Sequence, residues 1–115
     1  MRSLILISVM LIGLTLPSVA QIRSYIGFAK TSCGTWTKER SNQYSIMSLE
    51  MQRWATGFLS GANAASSTFK DRLEGIDADA VYAWLDNYCR QNPLEIFPEA
   101  VSNLSRELAN RAGRQ

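Results

Sequence analysis

The sequence predicts an all-α fold: a small disulfide-bonded orthogonal helical bundle of three main helices plus a short N-terminal helical segment. Three observations lead there. Apolar residues recur at helical spacing in three stretches, with no convincing alternating strand between them. A chain of 115 residues supports one domain and leaves no room for two. The two cysteines, Cys33 and Cys89, lie far apart in a chain that opens on an export signal.

That signal occupies the first twenty residues. Arg2 supplies a short positive n-region, Leu4 to Leu16 follow without a charge, and Pro17 breaks the run. Ser18-Val19-Ala20 then presents small residues where a signal peptidase reads. The apolar run of about 13 residues is short of the roughly 20 that span a bilayer as a helix. The predicted organisation is a signal peptide over 1–20, cut after Ala20, and a single small helical domain over 21–115. The expected location is the periplasm, with no membrane attachment after signal removal. An uncleaved N-terminal anchor is the rival reading. Gln21 rather than a cysteine follows the cut, so lipoprotein attachment has no support.

Export sets how the cysteines are read. In an oxidising compartment two cysteines in a small domain usually pair. On the chain-entropy model, closing so long a loop contributes roughly 4 kcal/mol. That is a large share of a net stability of about 5–10 kcal/mol. A reactive or metal-binding pair is the alternative. Two thiols and no histidine cannot complete an ordinary zinc site, and no C-x-x-C occurs. Neither a metal nor another cofactor is expected.

The segment from Gln21 to Thr31 has no clean period; Tyr25, Ile26 and Phe28 read as an extended lead-in. Ser32 to Thr35 reads as a turn or helix start, and Trp36 to Arg40 as one or two helical turns. The first long helix is predicted from about Ser48 to Ala65, capped by Ser48 or Ser45. Its core stripe takes in Met47, Met51, Trp54, Ala55, Phe58, Leu59, Ala62 and Ala65. Gly57 and Gly61 beside this stripe predict close packing against another backbone, because each lowers helix propensity. Ser66 to Gly75 is a polar connection.

The second long helix starts at Asp77, with Ile76 and Val81 as a hydrophobic staple. Ala78, Val81, Trp84, Leu85, Tyr88 and Cys89 share its core face, which brings Cys89 within reach of Cys33. Asn92, Pro93 and Glu95 resemble a capping-box start for the last helix. Pro98 conflicts with that start, so the sequence predicts either a kink or a helix beginning afresh near Pro98. Phe97, Val101, Leu104 and Leu108 form its apolar stripe, with Arg106 and Arg111 toward its negative end.

Composition excludes several functions. With 46% hydrophobic and 19% charged residues the chain is too apolar for a disordered tail. Losing Arg2 with the signal lowers the formal charge from +2 to +1, which gives no electrostatic case for nucleic acid. The absence of histidine removes Ser-His-Asp and Cys-His catalysis. Asp79 and Asp86 lie about 10 Å apart along one helix, too far for paired carboxylate chemistry, and read as a solvated face. Ser60, Ser66 and Ser67 lack a base partner, and no phosphate loop is present. Trp36, Trp54 and Trp84 are candidates for a ligand-binding cluster, with packing the default for Trp54 and Trp84. Asn63 reads as a solvated polar residue. The sequence predicts a non-enzymatic protein.

These pieces form a pattern: Cys33, then Trp54-x-x-Gly57-Phe58-Leu59-Ser60-Gly61, then Trp84-Leu85-x-x-Tyr88-Cys89-x-x-Asn92-Pro93, and Ala100 in the last helix. The pattern resembles the HdeA/HdeB-like periplasmic acid-stress chaperones over roughly Cys33 to Leu108. A similar arrangement occurs in Tai-type immunity proteins, small exported helical proteins that block peptidoglycan amidase toxins of rival bacteria; those are expected to carry more cysteines.

The chaperone resemblance implies a domain that is folded at neutral pH and loosens in acid. Below about pH 3 carboxylates with ordinary values near 4 are protonated. The formal charge then climbs from +1 toward +11, counting 10 acidic side chains. Trp54, Phe58, Trp84 and Leu85 are the apolar surface expected to meet clients, with the disulfide keeping the opened chain compact. The expected partners are proteins: unfolding clients, one fixed partner, or a second copy in a homodimer. The alternative is a constitutive protein-binding module, such as an immunity-type inhibitor or an accessory subunit of an envelope complex.

Overall fold

The computed structural model describes residues 24–114; the predicted signal peptide and its cut after Ala20 lie outside them. The described chain is all-helical, with α1 over Cys33–Arg40, α2 over Ile46–Ala64, α3 over Ala78–Gln91 and α4 over Phe97–Gly113. An isolated antiparallel bridge joins Ser32 to Ile96.

Three of the four helix starts are set by a side chain that satisfies an otherwise orphaned backbone N–H. Ser32 Oγ accepts from Thr35 N at 3.1 Å to open α1. Ser45 Oγ accepts from Ser48 N at 3.0 Å, so Ser45 rather than Ser48 caps α2, and Ser48 is buried. Asp77 accepts from Ala80 N at 2.8 Å at the start of α3. The staple forms as the sequence predicts: Val81 is buried and Ile76 packs against the same core.

The last helix begins afresh. Asn92 is the C-cap of α3, its side-chain amide donating to the Tyr88 carbonyl at 2.9 Å. Residues 93–96 form a turn, and Ile96 is the N-cap of α4. The capping-box start at Asn92, Pro93 and Glu95 does not form. Proline lacks an N–H, which costs nothing in a first turn but breaks a bond deeper in a helix. The chain therefore places Pro98 in the first turn of α4.

The largest fully buried side chains are Trp36, Phe97, Met51, Leu85 and Val101, drawn from all four helices. Trp36 stacks on Phe97 with ring centroids 5.0 Å apart. The core stripe of α2 is narrower than its apolar pattern. Met51, Ala55 and Leu59 are buried, Trp54 and Phe58 are half-buried, Met47 is 43% exposed and Ala65 is exposed. The reason lies in what covers each side. Helices cover the centre of the stripe, while the Trp54–Phe58 flank meets Phe97 of α4 on one side and the lead-in, through Tyr25 and Phe28, on the other.

The close packing predicted at Gly57 and Gly61 is not found. Both are exposed, and a Cβ at either would meet nothing within 4 Å among the described residues. Gly27 is the glycine whose conformation matters. Its φ of +100° lets the lead-in turn, so that the Ile26 carbonyl accepts from Trp54 Nε1 at 2.9 Å.

Candidate functional site

Cys33 and Cys89 form a disulfide that spans 56 residues, with both cysteines fully buried and their Cα atoms 4.7 Å apart. It joins the first turn of α1 to the last turn of α3. Backbone bonds reinforce the same end: Cys33 N donates to Glu95 O at 2.7 Å, Gly34 N to Pro93 O at 2.9 Å, and Phe97 N to Thr31 O at 2.7 Å. The turn before α4 is thereby sewn onto the start of α1.

Beside the disulfide sits a polar clasp. Trp36 and Arg40, four residues apart, share a face of α1 and reach across to Asp86 on α3. Asp86 Oδ1 accepts from the Trp36 indole N–H at 2.8 Å and from Arg40 Nε at 3.0 Å; Oδ2 accepts from Arg40 Nη2 at 3.0 Å. The Arg40 guanidinium carbon lies 5.5 Å from the ring centres of both Trp36 and Tyr82, a cation–π contact on two rings. Its hydrogen bond to Asp86 raises the Arg40 pKa above its already high ordinary value, against the opposing effect of burial. With three donors on its two oxygens, Asp86 is engaged as a structural acceptor between α1 and α3. The sequence expectation of a solvated acidic face holds for exposed Asp79 and fails for Asp86. A buried tryptophan needs an acceptor for its indole N–H, a signal that calls for some partner without naming Asp86.

Other carboxylates play the same joining role. Glu95 accepts from the Tyr88 hydroxyl at 2.5 Å and from Asn103 Nδ2 at 3.2 Å, linking α3, the turn and α4. Burial first, and then the bond to Glu95, raises the Tyr88 pKa above its usual value. Glu99 accepts from Tyr25 at 2.9 Å, tying the lead-in to α4. Glu39 accepts from the Ser45 hydroxyl, tying α1 to the cap of α2. Asn63 is not simply solvated: its amide donates to Asp71 at 2.8 Å and its oxygen accepts from Arg72 N at 2.9 Å, pinning the connection after α2.

The residues predicted to meet clients do not form one surface. Trp54 and Phe58 stack on each other at 5.4 Å beside an open groove shared with Tyr25, Ile26, Arg53 and Gly57. Trp84 stacks instead on Tyr88 at 4.8 Å, and Leu85 is fully buried in the core. Trp36 is likewise fully buried, so the three tryptophans occupy three different settings rather than one ligand cluster. A separate cleft of about 220 Å³ lies between α2 and α3, floored by Leu59 and Val81 and edged by Thr56, Ser60, Leu73 and Ile76.

Among the described residues, no group of three or more metal-ligating side chains comes together, and no helix is long and apolar enough to cross a membrane. No family model, curated protein or solved structure matches the chain.

Proposed function

We propose that the chain is an exported HdeA/HdeB-like acid-stress chaperone, cut after Ala20 and released into the periplasm, which loosens at low pH and exposes apolar surface to clients. In this reading its three main helices cross steeply, as in an orthogonal bundle. The observation that carries the reading is the use of carboxylates as ties between elements. Asp86 joins α3 to α1, Glu95 joins α3 to α4, Glu99 joins α4 to the lead-in, and Glu39 joins α1 to α2. In acid the mature chain moves from +1 toward +11, so self-repulsion pulls on the elements that these ties hold together. Trp54 and Phe58, already half-exposed, become accessible first; Trp84 and then Leu85 follow as the helices part. The disulfide limits the opening.

The test is an acid titration from pH 7 to pH 2.5, following dye binding to exposed apolar surface and protection of an acid-denatured client from aggregation. Both rise together below about pH 3 in this reading. Absence of both would sink it. A second reading, a constitutive protein-binding module such as an immunity-type inhibitor or accessory subunit, draws on apolar side chains exposed in the folded state. Tyr44, Ile46, Met47 and Leu49 cluster at the start of α2, at 84%, 72%, 43% and 48% exposure. Recovery of one tight heterologous partner at neutral pH supports that module and counts against the chaperone.

A further inference from the structure

The connection between α2 and α3 is the longest between helices of the described chain, and residues 66–71 of it lie in no helix or strand. Phe69 at its tip is fully exposed, the most exposed large apolar side chain among the described residues. Ser67, Thr68, Lys70 and Asp71 around it are exposed as well. The backbone–backbone bonds stop at Ser66 N, which donates to Asn63 O at 3.2 Å, and resume at Ile76 N, which donates to Leu73 O at 2.9 Å. Between those points the loop is held at its neck by side chains. Asn63 donates to Asp71 and accepts from Arg72 N, and Arg72 Nη2 donates to Ser66 Oγ at 2.9 Å. Such bonds open locally without disturbing a helix ladder. An exposed tip of this kind is where an endopeptidase can draw backbone into its cleft.

Other exposed or aromatic positions that could be cut are guarded. Tyr44 lies in the short connection 41–45, where Asn42 N donates to Glu39 O, Ser45 N to Asn42 O, and Tyr44 N to Asn42 Oδ1. Leu94 lies in the turn whose Pro93 and Glu95 carbonyls accept from the start of α1. Phe97 is fully buried and is followed by Pro98. We propose that the Phe69–Lys70 bond is a cleavage site in the folded chain for an endopeptidase that selects an aromatic residue, and that the product is a two-chain form joined by Cys33–Cys89. Water adds across the amide, leaving a carboxylate on Phe69 and an amino group on Lys70.

The disulfide gives the site its consequence. It spans 56 residues and encloses this connection, so a cut opens the covalent ring without separating the pieces. α1 packs on α3 and α2 on α4, and in both pairs the partners come from different pieces. The uncut, disulfide-bonded chain holds one closed ring. Cutting the loop and reducing the sulfurs each abolish that ring, so both release the same closure entropy in the unfolded chain. The cut also removes the tether beside the cleft between α2 and α3, which Leu73 and Ile76 of the connection edge. This inference does not rest on the chaperone reading.

The test is brief digestion of the disulfide-bonded chain with chymotrypsin at neutral pH, read by intact mass with and without reductant. The expected first product has the mass of the uncut chain plus one water. Reductant splits it into a piece ending at Phe69 and a piece beginning at Lys70. Phe69→Asp removes this cut, and circular dichroism checks that the variant keeps its helices. Urea well below the unfolding midpoint leaves the rate within about twofold, because the site is open in the folded chain. The two-chain form keeps its helices, and its urea midpoint falls by as much as that of the uncut chain on reduction. Resistance to the enzyme, or first cuts at Tyr44 or Leu94, overturns the proposal. So does a rate that climbs with urea in step with global unfolding, or helices lost while the disulfide is intact. A two-chain form with the urea midpoint of the uncut, disulfide-bonded chain overturns it too.

Discussion

The two sides of α3 are held by different physics. Toward α1, its most extensive helix neighbour, it is fastened by a buried disulfide, the Asp86 clasp and the backbone bonds that sew residues 93–97 onto the start of α1. Toward α2 the packing is sparse, and an open cleft of about 220 Å³ remains between Leu59 and Val81. The fastened side is specified by directional bonds that tolerate little displacement. The cleft side is specified by apolar contact, which is non-directional and tolerates sliding. The difference teaches where the domain gives way: α2 separates from α3 while α1 and α3 remain joined.

The largest expected effect comes from breaking the fastened side outright. Replacing both cysteines by serine, Cys33→Ser with Cys89→Ser, is expected to lower stability by about 4 kcal/mol in urea unfolding at neutral pH, on the loop-closure estimate. A loss under about 1 kcal/mol would show that the clasp and the backbone bridge hold this end without the covalent bond.

The comparison sharpens with one truncation on each side. Leu85→Ala is expected to cost about 4 kcal/mol, because the residue is fully buried and the fastened helices cannot close around the void. Leu59→Ala, beside an existing cleft, is expected to cost about 2 kcal/mol, because α2 can shift and water can enter. Equal losses would mean that the cleft side is as rigid as the fastened one. Asp86→Asn follows, at about 2 kcal/mol, since it leaves Arg40 half-buried without its counter-charge. A shift in the emission of the fully buried Trp36 should accompany it, because the indole N–H loses a charged acceptor.

This contrast also explains what was legible in the sequence. The four helical segments, the Asp77 cap with its Ile76–Val81 staple, and the Cys33–Cys89 pair all rest on local rules: periodicity, capping chemistry and cysteine arithmetic. The Asp86 clasp was not legible as a pair. Nothing local says which carboxylate will meet the indole of Trp36, fifty residues away. Asn92, Pro93 and Glu95 obey a local rule for a helix start, yet Pro98 outcompetes them, since prolines five residues apart cannot both lie in the first turn of one helix. Gly57 and Gly61 misled for a related reason. Low helix propensity does not by itself require a close backbone neighbour, since the rest of α2 supplies enough core contact to hold the helix. Among the expected client-facing residues, α2 presents Trp54 and Phe58 at its flank, where the short lead-in and the edge of Phe97 cover them only in part. Leu85, on an equally apolar stripe, is enclosed by neighbouring helices.

The smallest expected effect separates a tie from mere packing on the fastened side. Tyr88 donates to Glu95 and receives a bond from Asn103 at 2.6 Å, so its hydroxyl sits between α3, the turn and α4. Burial, then the bond to Glu95, raises its pKa in the folded chain above the ordinary value of about 10. The folded state therefore holds the phenol proton more tightly than the unfolded state. The stabilisation that this proton carries is fully present below about pH 10 and is lost as pH rises through the higher folded value. Tyr88→Phe removes this titration. At pH 8 the variant is expected to be less stable by about 1 kcal/mol, the size of a typical hydrogen bond. Between pH 9.5 and 11.5 its stability should fall less steeply than that of the parent, so the two urea midpoints converge. Because Tyr25, Tyr44 and Tyr82 are common to both chains, the difference between the two profiles isolates Tyr88. Parallel profiles would mean that the Glu95–Tyr88–Asn103 bonds do not couple the phenol proton to folding, leaving the disulfide and the Asp86 clasp as the ties on this side of α3.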